Sequence, residues 1–189
     1  MTFVKALGLS LFVVAVAAMG VVLVVVVPRW YGAEQQATPR EATATVERRI
    51  KATLLFVSED GERLVAYERE IPYGDGVVEQ AKRIIEAEAA NPPAPLASAL
   101  PKGTKVRSVF VTKDGAAYVD LSREVSASHP GGSLNEILTV YAVVDGLTAN
   151  LPAITSVQIL VDGREVDTLA GHVDLRRPLV KSKRWIKEE

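Results

Sequence analysis

The chain contains no cysteine. That absence excludes disulfides, thiol nucleophiles, thiolate metal sites and lipid attachment through cysteine. Histidine is scarce, with only His129 and His172 present. No spacing such as His-Glu-x-x-His places either one in a ligand motif, so neither a metal nor a cofactor is expected. Charge of one sign is also missing. The chain has 22 Lys and Arg against 23 Asp and Glu, a net charge of −1, which argues against a general nucleic-acid binder. Glycine-rich phosphate loops are absent, and no Gly-x-Ser-x-Gly elbow or Ser-x-x-Lys pair stands in a suitable context. Gly131-Gly132-Ser133 precedes a predicted helix. It reads as a tight helix entry rather than an anion cradle.

What the sequence has in abundance is an apolar run near its start. Val4 to Val27 holds Lys5 and Ser10 as its only markedly polar members, and no charge appears from Ala6 to Val27. As a helix, that uncharged run is about 33 Å long at about 1.5 Å per residue, enough to cross a hydrocarbon core of about 30 Å. A cleaved secretion signal is the rival reading, with Ala15-Val16-Ala17 as its small-residue site. Cleavage there would leave a mature chain beginning Ala-Met-Gly-Val-Val-Leu. Because the apolar run continues well past that site, an uncleaved transmembrane anchor is expected. So many β-branched valines also argue against a buried helix of a soluble fold. Lys5 lies before the span and Arg29 and Arg40 after it. The positive-inside rule therefore leaves the orientation open. Trp30 and Tyr31 directly follow Pro28 and Arg29 and suit the headgroup layer.

Residues 28–50 read as a flexible tether, rich in Ala, Thr, Gln and mixed charge, with Pro39 and no sustained apolar face. A single domain is expected over residues 51–180, followed by a solvated basic tail at 181–189. Three pairs of strand-like runs flank Asp60-Gly61, Asp114-Gly115 and Asp162-Gly163. Asp-Gly between apolar runs is a strong hairpin signal, because such turns need positive φ. One helix is predicted to open at Asp75 and stop before Asn91-Pro92-Pro93. Val77, Val78, Ala81, Ile84 and Ile85 lie on its apolar side. A second begins at Ser133-Leu134-Asn135-Glu136, which has the form of a capping box, and ends at Leu151-Pro152. It is apolar on more than one side and is predicted to be the central core helix. The order ββα-ββα-ββ implies an α+β fold, with a largely antiparallel sheet and two helices on one face, behind the transmembrane helix.

Several segments then resemble the spore-germination GerMN domain family. They are Pro101 to Val106, Asp114 to Glu124, Gly131-Gly132-Ser133, Leu147-Thr148, Pro152 and Val157 to Gly163. The likeness extends over about Ala52 to Val180. No single segment is specific; their order and spacing carry the resemblance. It implies a non-catalytic domain in the cell envelope, held outside the cytoplasmic membrane by a lipid or helical anchor, with some members tied to sporulation and germination. Lipoprotein members need a cysteine, so here Val4–Val27 would be the single-pass anchor. The expected partners are the cell membrane, an unidentified envelope protein or wall component, and a second copy of the chain.

No catalytic residue is expected. The alternative is an envelope hydrolase using Asp120, Glu124 or His129, with His172 and Asp174 as further acid-base candidates. Their plain reading is structural: Asp120-Leu121-Ser122 ends a strand, and His129-Pro130-Gly131-Gly132 is loop. The C-terminal run Arg176 to Lys187 is basic, and anionic headgroups or polyanionic wall material would suit it.

Overall fold

The computed structural model describes residues 48–90 and 92–187. The predicted span Val4–Val27 and residues 28–47 of the tether lie outside them. Among the described residues, no helix is long and apolar enough to cross a membrane.

The fold is α+β, built from two sheets. Strands β1 (Arg49–Val57) and β2 (Leu64–Pro72) form an antiparallel ribbon, with Arg49 opposite Pro72 and Val57 opposite Leu64. The first strand thus starts two residues earlier than expected, because Arg49 and Ile50 still pair across the ribbon. The second sheet has the order β3 (Val106–Val111), β4 (Ala116–Leu121), β5 (Ser156–Val161) and β6 (Arg164–Glu165), with β7 (Leu179–Val180) also paired to β5. Antiparallel pairs prevail in both sheets, but β4 and β5 run parallel. The cause is a long intervening helix, which carries the chain back so that β5 enters from the same end as β4.

That helix is α3 (Ser133–Asn150), after α1 (Gly76–Ala89) and the single turn α2 (Glu124–Ala127). Helix α3 buries Leu138, Val140, Ala142, Val143, Val144 and Leu147, and so occupies the centre of the core. Helix α1 adds Ala81, Ile84 and Ile85 to the same cluster, with Val77 partly buried against it, whereas Val78, expected on that side, is exposed. In β1 the consecutive residues Leu54, Leu55 and Phe56 are all buried, the pattern of a strand covered on both faces.

The turns differ among the three hairpins. Asp162 and Gly163 both have positive φ, 50° and 75°, and join β5 directly to β6. This is the two-residue turn that Asp-Gly favours, but β6 stops after two residues. At the second hairpin only Gly115 is left-handed, with φ 85°, while its N–H reaches the Thr112 carbonyl at 3.1 Å. A Cβ at Gly115 would also stand 2.8 Å from the Ala153 carbonyl oxygen. The first hairpin has a wider loop, in which the Ser58 hydroxyl donates to Asp60 Oδ1 at 2.5 Å.

Ribbon and larger sheet stay separate because side chains occupy the inner edge of β1. The Thr53 N–H donates to Asn150 Oδ1 at 2.8 Å, and Asn150 Nδ2 donates back to the Thr53 carbonyl at 2.7 Å. Leu55 N–H donates to Glu88 Oε1 at 3.1 Å, and Val57 exchanges backbone bonds with Ala97. A strand edge satisfied in this way cannot accept another strand. Strand β3 forms one edge of the larger sheet, and β2 forms the outer edge of the ribbon, where the C-terminal segment bridges Leu64.

Three expectations require correction. The one sheet implied by the ββα-ββα-ββ order is two, because side chains and the backbone of Ala97 satisfy the inner edge of β1. The Ser133–Glu136 capping box does not form. Gly132 is the N-cap, Ser133 lies inside the helix and no side chain caps its start. The Glu136 carboxylate turns instead to the loop over residues 169–173, where several backbone N–H groups need an acceptor. The segment after Val180 is not a solvated tail as far as Lys187. Ser182 N–H donates to Asp145 Oδ1 at 2.8 Å, the Trp185 ring lies 6.2 Å from that of Tyr141, and Ile186 bridges Leu64. Lys187 N–H then donates to the Leu64 carbonyl at 2.7 Å. Trp185 and Ile186 interrupt the basic run with enough apolar surface to dock it.

Candidate functional site

Of the five ionisable residues of interest, Asp120 and Glu124 share one corner, while His129 lies within electrostatic reach of His172 and Glu136. Asp120 sits on β4 with little exposure, where its Oδ2 accepts from Arg107 Nε at 3.0 Å and its Oδ1 from the Gly163 N–H at 2.7 Å. Arg107 also reaches Asp162 Oδ1 at 2.7 Å. Asp120 therefore ties β3 to the β5–β6 turn. Glu124, in the first turn of α2, is held below the usual carboxylate range, chiefly by a hydrogen bond from Ser122. The charge of Asp162 acts on it in the opposite sense, so it belongs to the same acidic corner.

His129 lies elsewhere. Its Nδ1 accepts the Gly131 N–H at 3.0 Å, which leaves the proton on Nε2, 3.2 Å from Thr139 Oγ1. Thr139 in turn donates to the Ala99 carbonyl at 2.6 Å. Burial pulls the imidazole below its ordinary value, against the Glu136 charge. With both nitrogens occupied and the neutral form favoured, His129 acts as a strut between the 128–131 loop and α3. Asp174 is paired with its neighbour Arg176, at 2.8 Å, on the surface. Among the described residues, no hydrogen bond joins Asp120, Glu124 and His129 to one another.

The densest polar centre is one that the sequence disguises. Glu136 is fully buried, and its Oε1 accepts the N–H groups of Leu169 and Ala170 at 2.8 and 2.9 Å. Its Oε2 accepts the His172 N–H at 2.8 Å and lies 3.2 Å from His172 Nδ1. Burial alone would raise its titration point. The backbone donors, including Val173, outweigh burial and hold it below the ordinary range. A capping glutamate and a buried loop anchor have the same identity in sequence. Only the loop, more than thirty residues downstream, tells them apart.

A second buried acid pair lies between α1 and α3. Glu88 and Asp145 are both fully buried, and Glu88 Oε2 and Asp145 Oδ2 have no hydrogen-bond partner. Burial raises Glu88 well above the ordinary range, and the charge of Asp145 adds to the effect. Asp145 is pushed up to about 6, mainly by burial, with Ser182 and Lys181 opposing. Gly146 admits the Glu88 carboxyl, since a Cβ there would overlap it.

Two surface features remain. A groove of about 630 Å³ runs between the 97–102 segment and the start of α3, with Pro92, Leu100, Pro101, Pro130 and Leu138 in its wall. The edge strand β3 presents Phe110, which is 64% exposed and lies 6.5 Å from Tyr118 between ring centroids. Among the described residues, no group of three or more acidic or histidine side chains is arranged to hold a metal ion.

The family model described as "Germane: Sporulation and spore germination" matches residues 53–167. The chain belongs to this family. The Germane match runs from within β1 to just past β6 and includes α1, α2 and α3, and it agrees with the resemblance read from the sequence. Solved structures agree in fold. The tandem GerMN domains of the sporulation protein GerM from Bacillus subtilis superpose with a TM-score of 0.60 at 22% identity, over 71% of this chain and 46% of that one. The first GerMN domain of the same protein gives 0.56 at 21% identity, over 71% and 98%. A protein of Clostridium perfringens described as a lipoprotein gives 0.51 at 28% identity, over 71% and 89%. This chain spans less than half of the tandem structure. No curated protein matches the chain.

Proposed function

We propose that this protein is a membrane-anchored, non-catalytic binding or assembly module of the cell envelope, with its Germane domain on the extracytoplasmic side. The observation that carries the reading is the internal use of its reactive groups. Asp120, His129 and Glu136 each hold a strand turn or loop in place by accepting a backbone N–H. A hydrolase would need a base within hydrogen-bonding reach of its nucleophile or water, facing a pocket. The apolar run Val4–Val27 supplies an anchor, and a protein of similar fold is described as a lipoprotein, which supports a place at the membrane. The family's description supports a link to sporulation, germination or envelope organisation.

The contact surface in this reading is the edge strand β3 with Phe110, an aromatic residue well placed for strand addition by an envelope protein or a second copy. A photo-crosslinking phenylalanine analogue at position 110, activated in cells, tests this. A discrete adduct to an envelope protein or to the same chain is expected. If position 110 gives no adduct while a control at exposed Val78 behaves identically, the strand-addition reading fails.

A further inference from the structure

We infer that the folded C-terminal segment and the end of the ribbon form a binding site for a polymer of repeating phosphodiesters without bases. Two adjoining depressions carry it. The first, about 310 Å³, has an apolar floor that includes Leu55, Ala66 and Ile186 and a rim of Lys181, Lys183 and Lys187. The second, about 340 Å³, shares Lys183, Ile186 and Lys187 and adds Arg63 and Arg184. Five cations thus gather in two connected hollows of a chain whose net charge is −1.

Their lack of ion-pair partners is what marks a site: Arg63 donates to the Arg184 carbonyl and the Arg184 guanidinium lies 5.2 Å from the Trp185 ring centroid, but neither contact neutralises a charge. No salt bridge among the described residues uses any of the five. The two carboxylates that feel these lysines are Asp145 and Asp60. Asp145 is buried and accepts the Ser182 N–H, and Asp60 accepts from Ser58 and Glu62. The backbone that carries the lysines is fixed, by Lys187 N–H on the Leu64 carbonyl and by Arg63 Nη1 on the Arg184 carbonyl at 2.6 Å. Cations on an ordered scaffold around an apolar floor suit an anion borne on an uncharged backbone, and two hollows suit more than one such group.

A membrane surface fits less well. Interfacial segments present aromatic and apolar side chains outward. Here Trp185 packs on Tyr141, and Ile186 bridges Leu64. Nucleic acid fits less well again, since stacking platforms need free aromatic faces.

This inference deepens the envelope reading by naming one partner's chemistry. Its test is made in vitro, so it can fail while the membrane topology stands. The full chain in phosphatidylcholine nanodiscs is titrated calorimetrically with a glycerol-phosphate oligomer at low and moderate salt. Binding is expected, with Lys183→Gln/Lys187→Gln weakening it about tenfold and flattening its salt dependence. Lys181→Gln, a single change at the same rim, should weaken binding by a smaller factor if the double variant proves unstable. The pair Lys82→Gln/Lys113→Gln, away from the hollows, should leave affinity within about twofold. A chain ending at Lys187, without Glu188 and Glu189, should bind at least as tightly. The inference is overturned by absence of binding at low salt, or by equal losses in the two double variants. It is also overturned if phosphatidylglycerol vesicles bind and the oligomer does not, or if a single-stranded oligonucleotide of equal charge binds more tightly.

Discussion

Replacing Asp145 by asparagine should remove a pH-dependent burden from the folded state. Asp145 lies on the buried side of α3, where one oxygen receives the Ser182 N–H and the other has no partner. Lys181, Glu88 and Tyr141 are the titratable groups that sense it or act on it. Its folded value of about 6 lies above the ordinary 3.8, so the folded state keeps a proton that the unfolded chain releases. The stability this contributes is complete below pH 3.8 and is lost as pH rises to about 6. Over the whole window the loss is up to about 3 kcal/mol, and between about pH 4 and 7.5 it is about 2.5 kcal/mol. The substituted amide would still accept the Ser182 N–H through its carbonyl, but carries no charge to desolvate. Relative to the parent chain, Asp145→Asn should therefore gain about 2.5 kcal/mol between about pH 4 and 7.5, or roughly 8 °C in Tm. Urea unfolding of the full chain in neutral detergent, followed by near-ultraviolet circular dichroism at several pH values, measures the difference. Parallel stability profiles for parent and variant would refute the reasoning, since Asp145 would then not be charged and buried at neutral pH.

Other substitutions probe the remaining polar centres. Glu136→Gln replaces an ionised acceptor of several backbone N–H groups by an amide whose NH₂ faces donors; a loss of about 3 kcal/mol is expected in the same unfolding assay. The parent should lose that contribution on acidification, because a carboxylate held below its ordinary range stabilises above the unfolded value and ceases to do so as pH falls through the folded one. Gly146→Ala puts a methyl group into the Glu88 carboxyl, and should destabilise by about 2 kcal/mol despite the better helix propensity of alanine. A neutral or stabilised Gly146→Ala variant would show that Glu88 can move aside freely.

The parts of the fold legible in sequence are those set by neighbours in the chain. Leu151-Pro152 does end α3, Asp75 does stand at the N-cap of α1, and the Asp162-Gly163 turn has the positive φ that its residues favour. Composition also identified α3 as the core helix, because it is apolar beyond one face. What sequence could not supply depends on residues far apart. Ser133 and Glu136 have capping-box spacing, yet Glu136 serves a loop more than thirty residues away. Glu88 reads as one more surface glutamate of an amphipathic helix until Gly146 and Leu55 close over it. Likewise, the cations Lys181, Lys183, Arg184 and Lys187 look like a solvated tail, because the docking surfaces of Tyr141 and Leu64 are invisible locally. The parallel β4–β5 pair has a similar origin, since strand direction follows from where α3 delivers the chain.

The central claim is that the Germane domain faces the envelope space behind an anchor at Val4–Val27. Its most direct test is a pair of reporters fused after Glu189, one active only outside the cytoplasmic membrane and one only inside. The account predicts activity of the outside reporter alone, in a protein that remains with the membrane after alkaline washing. Activity of the inside reporter alone would contradict it.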